Sequence, residues 1–164
     1  MQKFPIEIIA VYISSDHDFK GHHGKPRGHN PVQVLNEVQC VAGKGLVGDR
    51  YFNHEENFKG QITFFDWSVF NKISAHSKKP TLEPSVLRRN VIIKGVDLNS
   101  LIDREFNIQN IRFTGSEECA PCYWMDQAVT PGTEDLMKDH GGLRARILNN
   151  GILPIGKTVL DLAS

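Results

Sequence analysis

Apolar residues in this chain arrive in short runs, and glycine, proline or asparagine cuts off nearly every run before it reaches helix length. Ile6 to Ile13 is the first, a nearly continuous series of apolar and β-branched side chains that predicts a strand buried on both faces. Val32, Val34, Val38 and Val41 continue in strand-like fashion, and Gln61 to Phe65 and Val91 to Lys94 repeat the pattern. Phe106 and Ile108 alternate into a Gln109-Asn110 turn, and Ile111 and Phe113 alternate out of it, which predicts a hairpin. Leu143 to Leu148 predicts a strand joined through Asn150-Gly151 to a last strand near Ile152 to Leu160, because Asn-Gly suits a two-residue hairpin turn. Gly43, Gly45 and Gly48 in GKGLVGD supply positions of cheap positive φ and predict a sharp turn ending at Asp49.

Helical periodicity is confined to two places. Asp66 is placed to cap a helix whose apolar residues Trp67, Phe70 and Ile73 recur at three-residue spacing, ending near His76. Thr133 is placed to cap a short helix through Lys138, with Gly141 and Gly142 stopping it. Many short strands with a few helices specify a mainly β chain, a mixed and mostly antiparallel sheet curled toward a barrel. With 164 residues, no repeat and no dividing linker, residues 1–164 are expected to form one domain.

Nineteen basic and nineteen acidic side chains leave no net charge, so no long-range field draws in bulk nucleic acid, although a local basic cluster can still hold a phosphate. Apolar residues at 40% argue against disorder. The start of the chain lacks a signal-peptide pattern and no apolar stretch approaches about 20 residues, so a cytoplasmic protein without membrane spans is expected. Three cysteines, Cys40, Cys119 and Cys122, are too few and odd in number for a disulfide framework.

The chemically richest stretch is Glu117 to Asp126, where Cys119 and Cys122 form a C-x-x-C pair. Thiolates are soft donors suited to molybdenum, copper(I), zinc or iron–sulfur, but two small buried residues packed against Trp124 are an equally good reading. Structural zinc wants a second pair or matched histidines, and a thioredoxin-like pair wants a βαβ setting; neither accompanies this one. Arg88-Arg89-Asn90 offers two forked cations and an amide suited to a phosphate or pterin edge, against an exposed basic turn as the simpler reading. Arg144 and Arg146 fall on one face of their strand, and Lys25 and Arg27 add cations from a Gly/Pro-rich loop. His17, His22, His23 and His29 crowd into that loop without companion cysteines and read as polar loop residues. Asp49 and Arg50 suit ligand orientation or turn capping alike. Walker, GxSxG, HExxH and GxGxxG patterns are all missing from the sequence.

Taken in order, GKGLVGDRY, GQITFF, LRRNVIIKGVDLNSL, FNIQNIRFTGSEECAPC, GGLRARIL and NGILPIGKTV resemble the successive blocks of the MOSC family, the domain that ends molybdenum-cofactor sulfurases. The likeness runs from about Gly43 to Val159, with Ile6 to Asn36 as a looser lead-in, and departs from the family's hairpin glycine at Gln109 and Asn110. It implies a β-barrel that binds the molybdenum cofactor (molybdopterin), with Cys122, the second cysteine of the pair, as the metal ligand and Cys119 beside it. Arg88, Arg89, Asn90 and Arg144 are then expected to hold the cofactor phosphate or pterin, and Asp126 to orient substrate or relay a proton. The activity implied is an oxidoreductase reaction on a small N-hydroxylated substrate, fed by a separate electron-donor protein. A non-catalytic carrier of cofactor or persulfide sulfur is the alternative. The pyridoxal-phosphate domain of the sulfurases is not expected in this chain.

Overall fold

A strand buried on both faces needs an apolar layer on each side, and β1 (Gln2–Ile13) has both. The computed structural model describes residues 1–19 and 28–163; Lys25, Arg27, His22 and His23 lie outside the described residues. Ile6 and Ile8 point into one core, then the pairing with β6 (Val91–Lys94) slips between Ile8 and Ala10, and beyond the slip Val11 and Ile13 point into that same core. The extra residue reverses the two-residue alternation, as a bulge must. Ile9, Ala10 and Tyr12 therefore pack on the opposite side, against the second apolar cluster.

The remaining strands are β2 (Gln33–Leu35), β3 (Glu37–Val41), β4 (Gly45–Leu46), β5 (Ile62–Asp66), β7 (Glu105–Ile108), β8 (Ile111–Glu118), β9 (Leu143–Ile147), β10 (Gly151–Pro154) and β11 (Gly156–Leu162). Seven of the eleven described strands close into a barrel in the order β1-β11-β7-β8-β9-β5-β6, because β1 pairs with β11 along one edge and with β6 along the other. All these pairings are antiparallel except β5 with β6, which run parallel. A parallel neighbour needs a crossover, supplied by α1 (Trp67–Ser77) and a 3-10 turn at Pro84–Leu87. Asp66 caps α1 as expected, its carboxylate accepting from the Ser68 amide at 2.8 Å. Ile62, Phe64, Val91 and Ile93 fill the barrel while Phe65 and Ile92 face α1, which is why β5 and β6 read as continuous apolar runs.

Three local expectations are corrected. Asn150-Gly151 does not join two paired strands: β9 pairs with β8 and β5, whereas β10 leaves the barrel to pair with β3 in a separate sheet with β4. The Asn150 side chain is taken by the Ala42 amide at 2.8 Å, and Asn149 is taken by Arg112 and Asn110, so both asparagines fasten neighbouring loops. The single last strand is likewise two strands, interrupted at Ile155, whose amide donates to Asn36. Thr133 does not cap its helix; it is the first residue of α3 (Thr133–Met137), and its hydroxyl donates to the Thr130 carbonyl. The carboxylate that serves the start of α3 is Asp126, which accepts from the Glu134 amide at 2.8 Å.

Candidate functional site

β8 is bent on its way to the cysteines. Its register with β9 shifts between Gly115 and Glu117, and a Cβ on Gly115 would stand 2.1 Å from the Leu101 carbonyl oxygen, so no larger residue fits where the strand turns. Beyond the shift, the Cys119 amide donates to the Gly142 carbonyl at 2.7 Å, and the chain crosses Pro121 into α2 (Tyr123–Ala128), which Cys122 precedes. Gly141 faces this turn so closely that a Cβ there would lie 2.2 Å from the Cys119 carbonyl oxygen and 2.7 Å from Pro121 Cδ. Cys119 is thereby buried while Cys122 remains exposed, and both thiols are free.

The two cysteines open on a cavity of about 220 Å³, small for a site that encloses a drug-sized ligand. Arg50, Arg88, Arg89 and Arg144 line it together with the aromatic rings of Phe19, Tyr51, Phe58 and Trp124. No carboxylate is among the described lining residues. The acidic groups stand behind the arginines: Asp18 on Arg88 at 3.0 Å, Asp49 on Arg50 at 3.3 Å, and Glu117 on Arg144 at 3.5 Å.

The arginines differ in how far their donors are committed. Arg88 lies at the end of the 3-10 turn with φ of 58°, and its guanidinium donates to Asp18, to the Ser14 hydroxyl at 2.6 Å and to the Asp16 and Asn30 carbonyls. Arg89 donates to the carbonyls of Gly141 at 2.9 Å, Cys119 at 3.1 Å and Leu87 at 3.3 Å. It forms no salt bridge among the described residues, although it is only 7% exposed. Its charge is met by backbone carbonyl dipoles, with no carboxylate paired to it among the described residues. Arg144, on β9, is the most accessible of the salt-bridged arginines just described, with its side chain 37% exposed. Burial works to lower its pKa, but its interactions with Cys119, Glu117 and Tyr51 raise it on balance, so this guanidinium stays cationic.

Several residues singled out in the sequence stand elsewhere. Asn90 is 3% exposed and outside the cavity: its Oδ1 accepts from the Thr63 amide and hydroxyl, both at 3.0 Å, and its Nδ2 donates to the Tyr12 carbonyl at 3.1 Å. Asp126 is not among the lining residues, and its carboxylate accepts from the Glu134 amide at the start of α3. Arg146 shares a face with Arg144 but donates to the Asn57 carbonyl. Asp49 accepts from the Ser14 and Tyr51 amides and so fixes the turn after the glycines. His17 packs edge-on to Tyr51, and no group of three or more His, Cys, Asp or Glu side chains converges among the described residues. The aromatic wall was not read from the sequence. Tyr51 and Phe58 stack at 5.3 Å between ring centroids, and Phe19 stacks on Trp124 at 5.9 Å. Single aromatics in polar loops carry no periodic signal.

The barrel thus opens beside two cysteines onto a cavity lined by arginines, with no carboxylate among its described lining residues, a donor set chemically suited to an anion and a soft metal. The MOSC domain model matches residues 21–159, and the chain belongs to that family, which is associated with the molybdenum cofactor. Among solved structures, YuaD from Bacillus subtilis is 17% identical with a TM-score of 0.73, the match covering 99% of this chain and 98% of that one. YiiM from Escherichia coli is 16% identical with a TM-score of 0.63, covering 100% and 71%. YiiM from Geobacillus stearothermophilus is 14% identical with a TM-score of 0.68, covering 98% and 76%. These likenesses are of fold. No curated protein matches the sequence.

Proposed function

We propose that this protein binds the molybdenum cofactor through the Cys122 thiolate and reduces the N–O bond of small N-hydroxylated compounds. The observation that carries the reading is the exposed, free Cys122 at the edge of a cavity lined by four arginines, with no carboxylate among its described lining residues. That donor set fits the group: a soft sulfur ligand for the metal, and the Arg144 and Arg50 cations at the cavity wall for a phosphate-bearing pterin. When bound, the cofactor supplies the redox chemistry. Arg144 and Arg50 would hold its anionic end by charge-assisted hydrogen bonds, and Tyr51, Phe58, Phe19 and Trp124 would exclude water and present ring faces to flat groups. Electrons would come from a separate donor protein.

The test is molybdenum and pterin content, by mass spectrometry, of protein made in a molybdenum-replete host. Stoichiometric metal in the wild type, lost in Cys122→Ser at an unchanged unfolding midpoint, is the expected result. Turnover of an N-hydroxylated purine with a chemical electron donor then separates an enzyme from a carrier, which binds without turning over. Wild-type protein lacking pterin under these conditions overturns the proposal.

A further inference from the structure

Four arginines line the cavity, yet they do different work, and Arg89 stands apart. Its Nε and one terminal nitrogen reach across two separate segments, the Gly141 carbonyl after α3 and the Cys119 carbonyl at the end of β8. The other terminal nitrogen returns to Leu87, two residues back. Among the described residues, every hydrogen bond of this buried side chain therefore goes to backbone. The same two segments are joined twice more, by the Cys119 amide on Gly142 at 2.7 Å and by the Gly141 amide on the Glu118 carboxylate at 3.0 Å. Gly141 has no Cβ to hold them apart. Only two residues separate the clamped Cys119 from Cys122, whose own side chain makes no capping bond to α2.

We propose that Arg89 is a positioning residue: its guanidinium sets where the Cys122 thiol stands by clamping the turn that carries it, and it does not receive an anionic ligand. A planar fork with fixed donor directions can bridge two carbonyls at once, which a lysine ammonium on a flexible stem does not reproduce. The consequence for catalysis rests on Cys122 being the metal ligand; the clamping does not.

The three cysteines report on the clamp. Cys40 is fully buried in the barrel core, Cys119 is 7% exposed at the clamp and Cys122 is exposed, so iodoacetamide labelling read residue by residue separates local opening from global unfolding. In full-length wild type without cofactor, Cys122 labels and the other two are protected. Arg89→Lys keeps the charge and loses the fork: labelling of Cys119 rises at least about tenfold while Cys40 stays protected. Gly141→Ala presses on the same turn from the other side, leaves the Arg89 charge untouched, and gives the same pattern. In cofactor-loaded protein, Arg89→Lys lowers kcat about tenfold with KM within about twofold, the signature of a displaced reacting group and not of lost substrate binding. Wild-type protection of Cys119 in both variants overturns the proposal, as does labelling of Cys40 alongside Cys119, which marks Arg89 as a determinant of the whole fold. If the wild type takes up no pterin, the functional reading fails and the labelling result stands on its own.

Discussion

Replacing Asn90 with alanine tests whether this residue belongs to the fold or to the site. The side chain accepts from the Thr63 amide and hydroxyl and donates to the Tyr12 carbonyl, tying β1 to β5 at the point where β6 begins. Alanine strands two buried backbone groups, the Thr63 N–H and the Tyr12 C=O. Each costs about 1–3 kcal/mol when left without a partner, so the expected destabilisation is about 3–5 kcal/mol once the small void is added. For a domain of this length that is a fall in Tm of roughly 8–15 °C, with the urea m-value unchanged. Asn90→Asp keeps the acceptor but sets an oxygen against the Tyr12 carbonyl, and is expected to be similarly costly. Urea titration followed by fluorescence measures both variants. A loss under about 1 kcal/mol, or full stability together with loss of bound cofactor, would refute the assignment and return Asn90 to the ligand.

Cys40 lies in the barrel core, and burial pushes its thiol from the ordinary value near 9 up to about 12. A thiol held neutral by the fold stabilises it below the unfolded pKa and loses that contribution as pH rises from about 9 toward 12; unfolding midpoints are expected to fall through this window, and Cys40→Ala to fall less steeply. Gly115→Ala forces a methyl group to within 2.1 Å of the Leu101 carbonyl oxygen, a backbone collision that no rotamer relieves. Soluble yield and Tm are expected to drop sharply, by about 3 kcal/mol or more in stability, whereas a wild-type melt would show that β8 has room to move.

Features that depend on the chain's own neighbours were readable in the sequence. The double-sided runs of β5 and β6, the Asp66 cap and the Gln109-Asn110 turn all follow from local periodicity and turn chemistry. Barrel closure was not fixed at the level of residues, since pairing Gln2 with Leu162 joins segments that carry no mark of one another. Asn150-Gly151 misled because its turn propensity competes with tertiary bonds to Ala42 and Cys40 that local sequence does not display. At the site, residue types pointed to the thiols and arginines, but what each arginine holds is decided by loops distant in sequence. Arg88 and Arg89 answer to Asp18, Cys119 and Gly141, and Asn90 to Tyr12 and Thr63.

The slip at Ile9 divides β1 into two lengths that obey separate placement rules. The earlier length, carrying Ile6 and Ile8, zips to β11; the later one, carrying Val11 and Ile13, delivers Tyr12 to Asn90 and Ser14 to Arg88. A one-residue insertion ahead of the slip would turn Ile6 and Ile8 outward yet leave Val11 and Ile13 seated. The register that places Tyr12 and Ser14 at the cavity end is thus set separately from that of the seam between β1 and β11, and a shift in the seam is felt in the core through Ile6 and Ile8.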